Sequence, residues 1–465
     1  MGTRTGEIVG FDAPRDQLSV KAEKAILVGV ALPDRPFLSK DPLEELRGLT
    51  ETAGAQVVGE LAQKRLDINP GLYLGKGKVE ELQLLCQATD ADVIIFDNDL
   101  TPAQIRNLEQ ATKCKVLDRS ELILDIFATR ARTAESRLQV ELAQLEYALP
   151  RLKQMWSHLS RYEGGIGMRG PGETQLEEDR RLVETRIRDL KYKLGEVQAR
   201  KRREVQTRTS EFTISLVGYT NAGKSSLMNR LTGAGVLAKD QLFSTLDTRT
   251  RKWILPDGKK VLLSDTVGFI RNLPHHLVAS FRATLEETSQ ARLLLHVVDA
   301  SDPLALDHIQ SVQRVLEEIG CDNKPTLMVL NKIDRLADPA EIQILRSKFA
   351  RSVPVSAHSG EGIHDLQEEV MGFVSHAMVP LKVRVSSANG RFLAWLGAHA
   401  EILLQRIEDD EIFLHVMVPD TLVGHVLRET EIEILEIPQA FAPKPKREEW
   451  EVAKGSDSLG ISELS

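Results

Sequence analysis

A chain of 465 residues is longer than one hydrophobic core accommodates, so about two to four domains are expected. Hydrophobic residues make up 42% and charged residues 28%, and no apolar run reaches the roughly 20 residues of a membrane helix. Cys86, Cys114 and Cys321 lie far apart, which excludes a disulfide framework and a cysteine-rich metal site and points to reduced thiols in the cytoplasm, with peripheral membrane attachment left open. The net charge of −8 argues against DNA as a partner, yet residues 129–210 hold 18 lysines and arginines against 12 acidic residues. A basic segment in an acidic chain is a candidate polyanion-facing surface, or simply a solvated helix face.

After an N-terminal tail, 1–22, residues 23–129 alternate apolar strands (25–30, 93–96, 115–117) with helices (41–53, 78–88, 102–111), which predicts a small α/β domain with a parallel sheet. Gly75-Lys76-Gly77-Lys78 marks a helix start. In residues 130–210, Leu138, Leu142, Leu145, Leu149, Leu152, Trp156 and Leu159 follow steps of four and three, and so do Val183, Ile187, Leu190, Leu194 and Val197. Each set makes one narrow helix stripe, and the pair predicts an antiparallel coiled-coil hairpin with a kink at Pro150. The segment 161–175 carries five glycines and a proline and reads as the joining tip, displaying Arg161, Tyr162, Met168, Arg169 and Gln175. Arginines at such a tip suit phosphates, and a tyrosine can stack on an unpaired base.

Residues 211–376 carry the strongest chemical signal. Phe212 to Val217 reads as a buried strand; Gly218-Tyr219-Thr220-Asn221-Ala222-Gly223-Lys224-Ser225 is a phosphate-binding loop; Ser226 to Leu231 reads as a helix. Such a loop turns backbone N–H groups toward phosphate oxygens, Lys224 can reach the β- and γ-phosphates, and the Ser225 hydroxyl can ligate Mg²⁺. Downstream, Phe243, Ser244, Thr245, Leu246 and Asp247 supply a switch loop. Thr245 is the expected second Mg²⁺ hydroxyl, with Thr248 the alternative. Asp265-Thr266-Val267-Gly268 follows another apolar strand; Asp265 can hold Mg²⁺ through water, and the Gly268 N–H can sense the γ-phosphate. The tetrad Asn331-Lys332-Ile333-Asp334 closes a further strand. Its carboxylate matches the guanine N1–H and exocyclic amine, Asn331 can reach N7 and the Lys332 stem can cover the base. Ser356, Ala357 and His358 would complete the base pocket, with backbone amides for guanine O6. Phe269 stands where a glutamine would orient the attacking water, so unaided hydrolysis should be slow; no general base is singled out, and Asn221, Lys224 and Gly268 are candidate helpers. A small α/β domain is expected at 380–438 and a disordered charged tail at 442–465.

Taken together, these motifs resemble the HflX family of ribosome-associated GTPases. The resemblance is carried by Gly75 to Glu81, Phe96 to Leu100, Leu138 to Leu145, Arg169 to Glu177, Gly218 to Ser225 and Asp265 to Ile270. Ser226 departs from the threonine usual in the family at that place. The resemblance implies a monomer that contacts the large ribosomal subunit, both rRNA and protein, through the N-terminal domain and the hairpin, and whose GTP form splits stalled or idle ribosomes. The alternative is a nucleotide-dependent switch acting on a protein partner. The expected fold class is α/β: a P-loop GTPase domain with a mostly parallel sheet, joined to the N-terminal α/β domain, the hairpin and the small C-terminal domain.

Overall fold

A computed structural model describes residues 23–37, 41–162, 171–206, 211–233, 242–243, 245–246, 248–271, 287–336, 338 and 340–438, with side chains left out of the description over 151–177, 179, 201–202 and 204–206. Ser244, Asp247, Met168, Arg169, the N-terminal tail and the C-terminal tail therefore lie outside the described residues, as do the side chains of Arg161, Tyr162 and Gln175. The chain divides into two compact units, Met1–Gly372 and Phe373–Ser465.

The first unit opens with β1 (Lys24–Ala31), α1 (Glu44–Ala53), β2 (Gln56–Lys64), α2 (Lys76–Thr89), β3 (Val93–Phe96), α3 (Pro102–Thr112), β4 (Lys115–Asp118) and α4 (Arg119–Arg130). Its sheet has the order β2-β1-β3-β4 with every pair parallel. Local chemistry sets the helix starts. Thr101 caps α3 in a reciprocal box with Gln104 and precedes Pro102, and the Asp118 carboxylate accepts the Glu121 amide at the start of α4. Two elements went unread in the sequence. Strand β2 is an edge strand with one buried residue among nine, and α4 is buried over most of its length, which hides its amphipathic period.

Helices α5 (Ala134–Tyr162) and α6 (Pro171–Gln206) form the hairpin. Its seam is Leu142, Ile187, Leu190 and Leu194, flanked by Leu138, Leu145, Leu149 and Val183, and ion pairs Arg186–Glu141 and Lys191–Glu146 stand beside it. Helix α5 runs through Pro150. The tip is shorter than the glycines suggested: Arg161 and Tyr162 close α5, and Gln175 already belongs to α6. Pro171 explains the early start, because a proline at the first helical position loses no hydrogen bond and has its φ preset.

The GTPase domain contains β5 (Phe212–Gly218), α7 (Lys224–Thr232), β6 (Arg249–Ile254), β7 (Lys260–Asp265), β8 (Leu293–Asp299), α8 (Ala305–Glu318), β9 (Thr326–Asn331), α9 (Ala340–Lys348), β10 (Ser352–Pro354) and α10 (Ile363–His376). Its sheet order is β10-β9-β8-β5-β7-β6, parallel except for the β6 edge. Strands β5, β7 and β9 end on one side of the sheet, the side where open α/β sheets take ligands. One apolar core joins the pieces. It includes Leu27, Leu46, Leu49 and Phe127 of the N-terminal domain, Val140 and Ala143 of α5, and Val217, Phe243, Val267 and Phe269 of the GTPase domain.

The second unit holds β11 (Met378–Ser386), α11 (Gly390–His399), β12 (Glu401–Glu408), β13 (Glu411–Pro419), α12 (Asp420–Val426) and β14 (Ile432–Glu436). The order β12-β13-β11-β14 with all pairs antiparallel is a ferredoxin-like βαββαβ arrangement. Strands β12 and β13 form a hairpin across Asp409, which adopts the left-handed φ of 53° that a tight turn needs.

Candidate nucleotide site

The phosphate loop leaves β5 and enters α7, and its backbone is shaped by residues that tolerate it. Gly223 has φ of 93°, and a Cβ there would come 2.3 Å from Asn331 Nδ2. Asn221 also takes a left-handed φ, of 61°, which asparagine accepts more readily than most side chains. Ala222 and Thr220 are buried while Asn221 is exposed. Lys224 is buried, and its ammonium donates to the carbonyls of Gly218 (3.1 Å) and Tyr219 (2.9 Å). Burial pushes its pKa down to about 8, a fall that the nearby Asp265 carboxylate only partly offsets.

Three oxygen donors converge beside the loop. Ser225 Oγ donates to Asp265 Oδ2 at 2.7 Å and lies 2.9 Å from Thr245 Oγ1. Asp265 Oδ1 is buried with no hydrogen-bond partner. Burial raises the Asp265 pKa, against the opposing pull of Lys224 and the two hydroxyls. A buried orphan carboxylate oxygen next to two hydroxyls is a hard, oxygen-only donor set, which fits Mg²⁺. Thr248 is directed elsewhere, its hydroxyl donating to Glu287 at 3.1 Å.

The segment after β7 lies directly on the loop. The Thr220 amide donates to the Phe269 carbonyl at 2.7 Å and the Phe269 amide to the Gly218 carbonyl at 3.1 Å. A Cβ on Gly268 would approach Thr220 Cα to 2.7 Å and Lys224 Nζ to 3.1 Å, so only glycine fits there. Thr266 anchors the turn through its hydroxyl to the Leu216 carbonyl at 2.6 Å, and Val267 is buried. The Phe269 side chain is 2% exposed and belongs to the shared apolar core. On the other switch loop, Phe243 and Leu246 are buried, and the Phe243 amide donates to Thr220 Oγ1 at 2.9 Å.

Asn331 joins the loop to the turn that follows β10. Its Nδ2 donates to the Ala222 carbonyl at 2.9 Å, and its Oδ1 accepts the Ala357 amide at 3.0 Å. Lys332 has φ of 64° and pairs with Asp299 at 2.7 Å, which pins its stem. Ile333 is half-buried and Asp334 is exposed. Ser356 Oγ donates to Asp334 Oδ1 at 2.6 Å, and this bond holds the Asp334 pKa below the usual carboxylate range. One sequence expectation does not hold in this arrangement. The amides of Ser356 and Ala357 are already engaged, with the Glu361 carbonyl (2.9 Å) and Asn331 Oδ1, because the 356–361 turn closes on itself; His358 is exposed beside them.

The structure thus brings the loop, Thr245, Asp265 to Gly268, the tetrad and Ser356 together. Sequence reading missed the orienting hydroxyl of Ser356, the bracing by Asn331 and the entire environment of the Tyr219 ring. A large aromatic inside a phosphate loop was the available signal for the last of these.

Comparison with known proteins follows the same divisions. Residues 40–128 match the family model described as GTP-binding GTPase N-terminal, residues 130–208 the GTP-binding GTPase Middle Region, and residues 213–332 the 50S ribosome-binding GTPase. The chain is 46% identical over 400 residues to GTPase HflX of Magnetococcus marinus, covering 85% of this chain and 92% of that one. It is 44% identical over 402 residues to GTPase HflX of Escherichia coli K12, covering 85% and 94%. A solved GTP-binding protein from Sulfolobus solfataricus in complex with GDP is 26% identical, covering 76% of this chain and 99% of that chain, with a TM-score of 0.42.

Proposed function

Because the chain belongs to the HflX family of GTPases, we propose that it turns over GTP slowly by itself, is stimulated by the large ribosomal subunit, and uses its GTP form to separate stalled or idle ribosomes in the cytoplasm. The observation that carries the reading is the fate of Phe269. Its side chain is buried in the core, so no polar side chain from the position after Gly268 faces the phosphate side. A site that positions phosphates but brings no water-orienting group from that position is completed by a partner surface.

Within the site, Lys224 moves its ammonium from the two loop carbonyls to the β- and γ-phosphates, and the Gly268 amide meets the γ-phosphate. Ser225 and Thr245 would hold Mg²⁺ directly and Asp265 through water; when bound, the ion neutralises charge on the phosphate oxygens. Asp334, ionised and oriented by Ser356, accepts from the guanine N1–H and amine, while the second amide hydrogen of Asn331 remains available to N7. Support for the ribosomal partner comes from the matched 50S ribosome-binding family model.

The test is steady-state GTP turnover by the full chain, alone and across a titration of purified large subunits. A rate that rises many-fold and saturates is expected; a flat titration refutes the ribosomal reading and favours a protein partner. Among the described residues no helix is long and apolar enough to cross a membrane.

A further inference from the structure

A buried polar cluster outside the nucleotide site connects it to the N-terminal domain. Glu45, in the first turn of α1, has a side chain only 13% exposed. Its Oε1 accepts the Tyr219 hydroxyl. Its Oε2 accepts Arg119 Nη2 at 2.7 Å and Arg271 Nε and Nη2 at 3.1 and 3.0 Å. The Arg271 amide donates to the Tyr219 hydroxyl at 2.8 Å, and Arg119 also donates to the Arg271 carbonyl (3.3 Å) and to Asp97 (2.5 Å). The Tyr219 ring stacks on His308 with centroids 3.8 Å apart. None of Glu45, Asp97, Arg119 or Arg271 is among the residues assigned above to phosphate, base or metal.

Two of the three residues that Glu45 holds, Tyr219 and Arg271, adjoin the phosphate side of the site. Tyr219 is the second residue of the loop, and its carbonyl is one of the two acceptors of Lys224. Arg271 lies three residues beyond Gly268, in the segment whose Phe269 backbone pairs with Gly218 and Thr220. This is a closed arrangement: Gly268 lies over the loop near Lys224, and Thr245 is within 2.9 Å of Ser225. A second anchor on the opposite switch comes from the same domain. Phe243, with φ of 53°, inserts edge-on against Phe127 of α4, ring centroids 4.7 Å apart.

We propose that Glu45 is a positioning residue of the nucleotide site: one carboxylate holds the phosphate loop through Tyr219 and the post-Gly268 segment through Arg271 in the closed arrangement, so the N-terminal domain biases the site toward the triphosphate. The proposal rests on the GTP reading above. Its logic is differential affinity. Only a triphosphate carries the group that meets the Gly268 amide, so loosening that segment weakens triphosphate binding and leaves diphosphate binding, made by the loop and base pocket, largely intact. By linkage, a partner that shifts α1 changes nucleotide preference, and the nucleotide changes that partner's affinity by the same factor.

The test compares dissociation constants for GDP and for a non-hydrolysable GTP analogue, both with Mg²⁺, in the full-length protein and in Glu45→Gln, Tyr219→Phe and Arg271→Lys. Expected is a loss of roughly tenfold or more for the analogue in Glu45→Gln with GDP affinity changed less than about twofold, a smaller effect for the charge-preserving Arg271→Lys, and in Tyr219→Phe, which also frees the loop itself, a loss for the analogue several-fold larger than that for GDP. Equal losses for both nucleotides, the mark of a merely structural role, or no loss for either overturns the proposal. Should Glu45→Gln fail to fold by thermal melting, Tyr219→Phe, which removes one hydroxyl and no charge, decides the matter. Failure of the unmodified protein to bind either guanine nucleotide instead refutes the GTP reading itself, so the two failures are distinct.

Discussion

Lys224 makes the empty site a proton acceptor on binding. Its burial holds the pKa at about 8, against an ordinary value of 10.5, and the Asp265 carboxylate offsets only part of that fall. Phosphate oxygens favour the charged form, so nucleotide binding returns the pKa to its ordinary range or above. A displacement of about 2.5 units corresponds to roughly 3 kcal/mol between the protonation states. Because this folded-state pKa is lowered, the charged lysine costs stability in the empty protein fully below pH 8, and that cost is relieved as pH rises from 8 toward 10.5. Binding runs the other way: affinity for GTP falls as pH rises through about 8, approaching tenfold per unit. At pH 8.5 about three quarters of empty sites hold a neutral lysine and must take up a proton, against about one tenth at pH 7. Calorimetric titration in two buffers of different ionisation heat measures the uptake directly. Heats that do not depend on the buffer at pH 8.5 would refute the depressed pKa, and Lys224→Met, if it retains measurable binding, should abolish the uptake.

Thr245→Ala should lower the affinity for a GTP analogue with Mg²⁺ by about tenfold, the range of one charge-assisted contact, while Thr248→Ala, whose hydroxyl serves Glu287, leaves it nearly unchanged; equilibrium binding across a Mg²⁺ titration separates the two. Asp334→Asn removes the acceptor pair for the guanine N1–H and amine, so GTP affinity should fall by orders of magnitude and preference should move to xanthosine triphosphate; undiminished GTP binding in a competition assay would contradict the base pocket.

The phosphate loop and the tetrad were legible because each is a local sentence, an apolar strand followed by polar residues in fixed order, and strand order in an α/β sheet then brings them to one side. The hairpin was legible for a similar reason, since its stripe repeats along each helix. What the sequence concealed depends on distance along the chain. Glu45 is one of 68 acidic residues, and nothing local distinguishes it from Glu44 beside it; its meaning comes from Tyr219, 174 positions away. Strand β2 carries glutamines, a glutamate and a glycine because one side of the sheet edge is solvated, so its alternation is weak. The glycines of 164–172 masked a helix start that Pro171 alone announced.

The same buried chemistry extends from the phosphate loop to the root of the hairpin. Tyr147 of α5 donates its hydroxyl to Asp118 Oδ2, while Oδ1 of that carboxylate caps α4 at 2.9 Å. The next residue is Arg119, which grips Glu45, and Glu45 holds Tyr219. Each link is a hydrogen bond to a charged group in a poorly solvated setting, where such bonds are strong and a missing partner is expensive. Burial alone would raise the Glu45 pKa, but Arg119, Arg271 and the Tyr219 hydroxyl outweigh it and hold the group at about 2. The carboxylate therefore stays ionised through the neutral range. A hairpin that shifts at its root must carry Asp118 and the start of α4 with it or break these bonds. In the first case the movement is passed to Arg119, whose guanidinium bonds the same carboxylate as the Tyr219 hydroxyl.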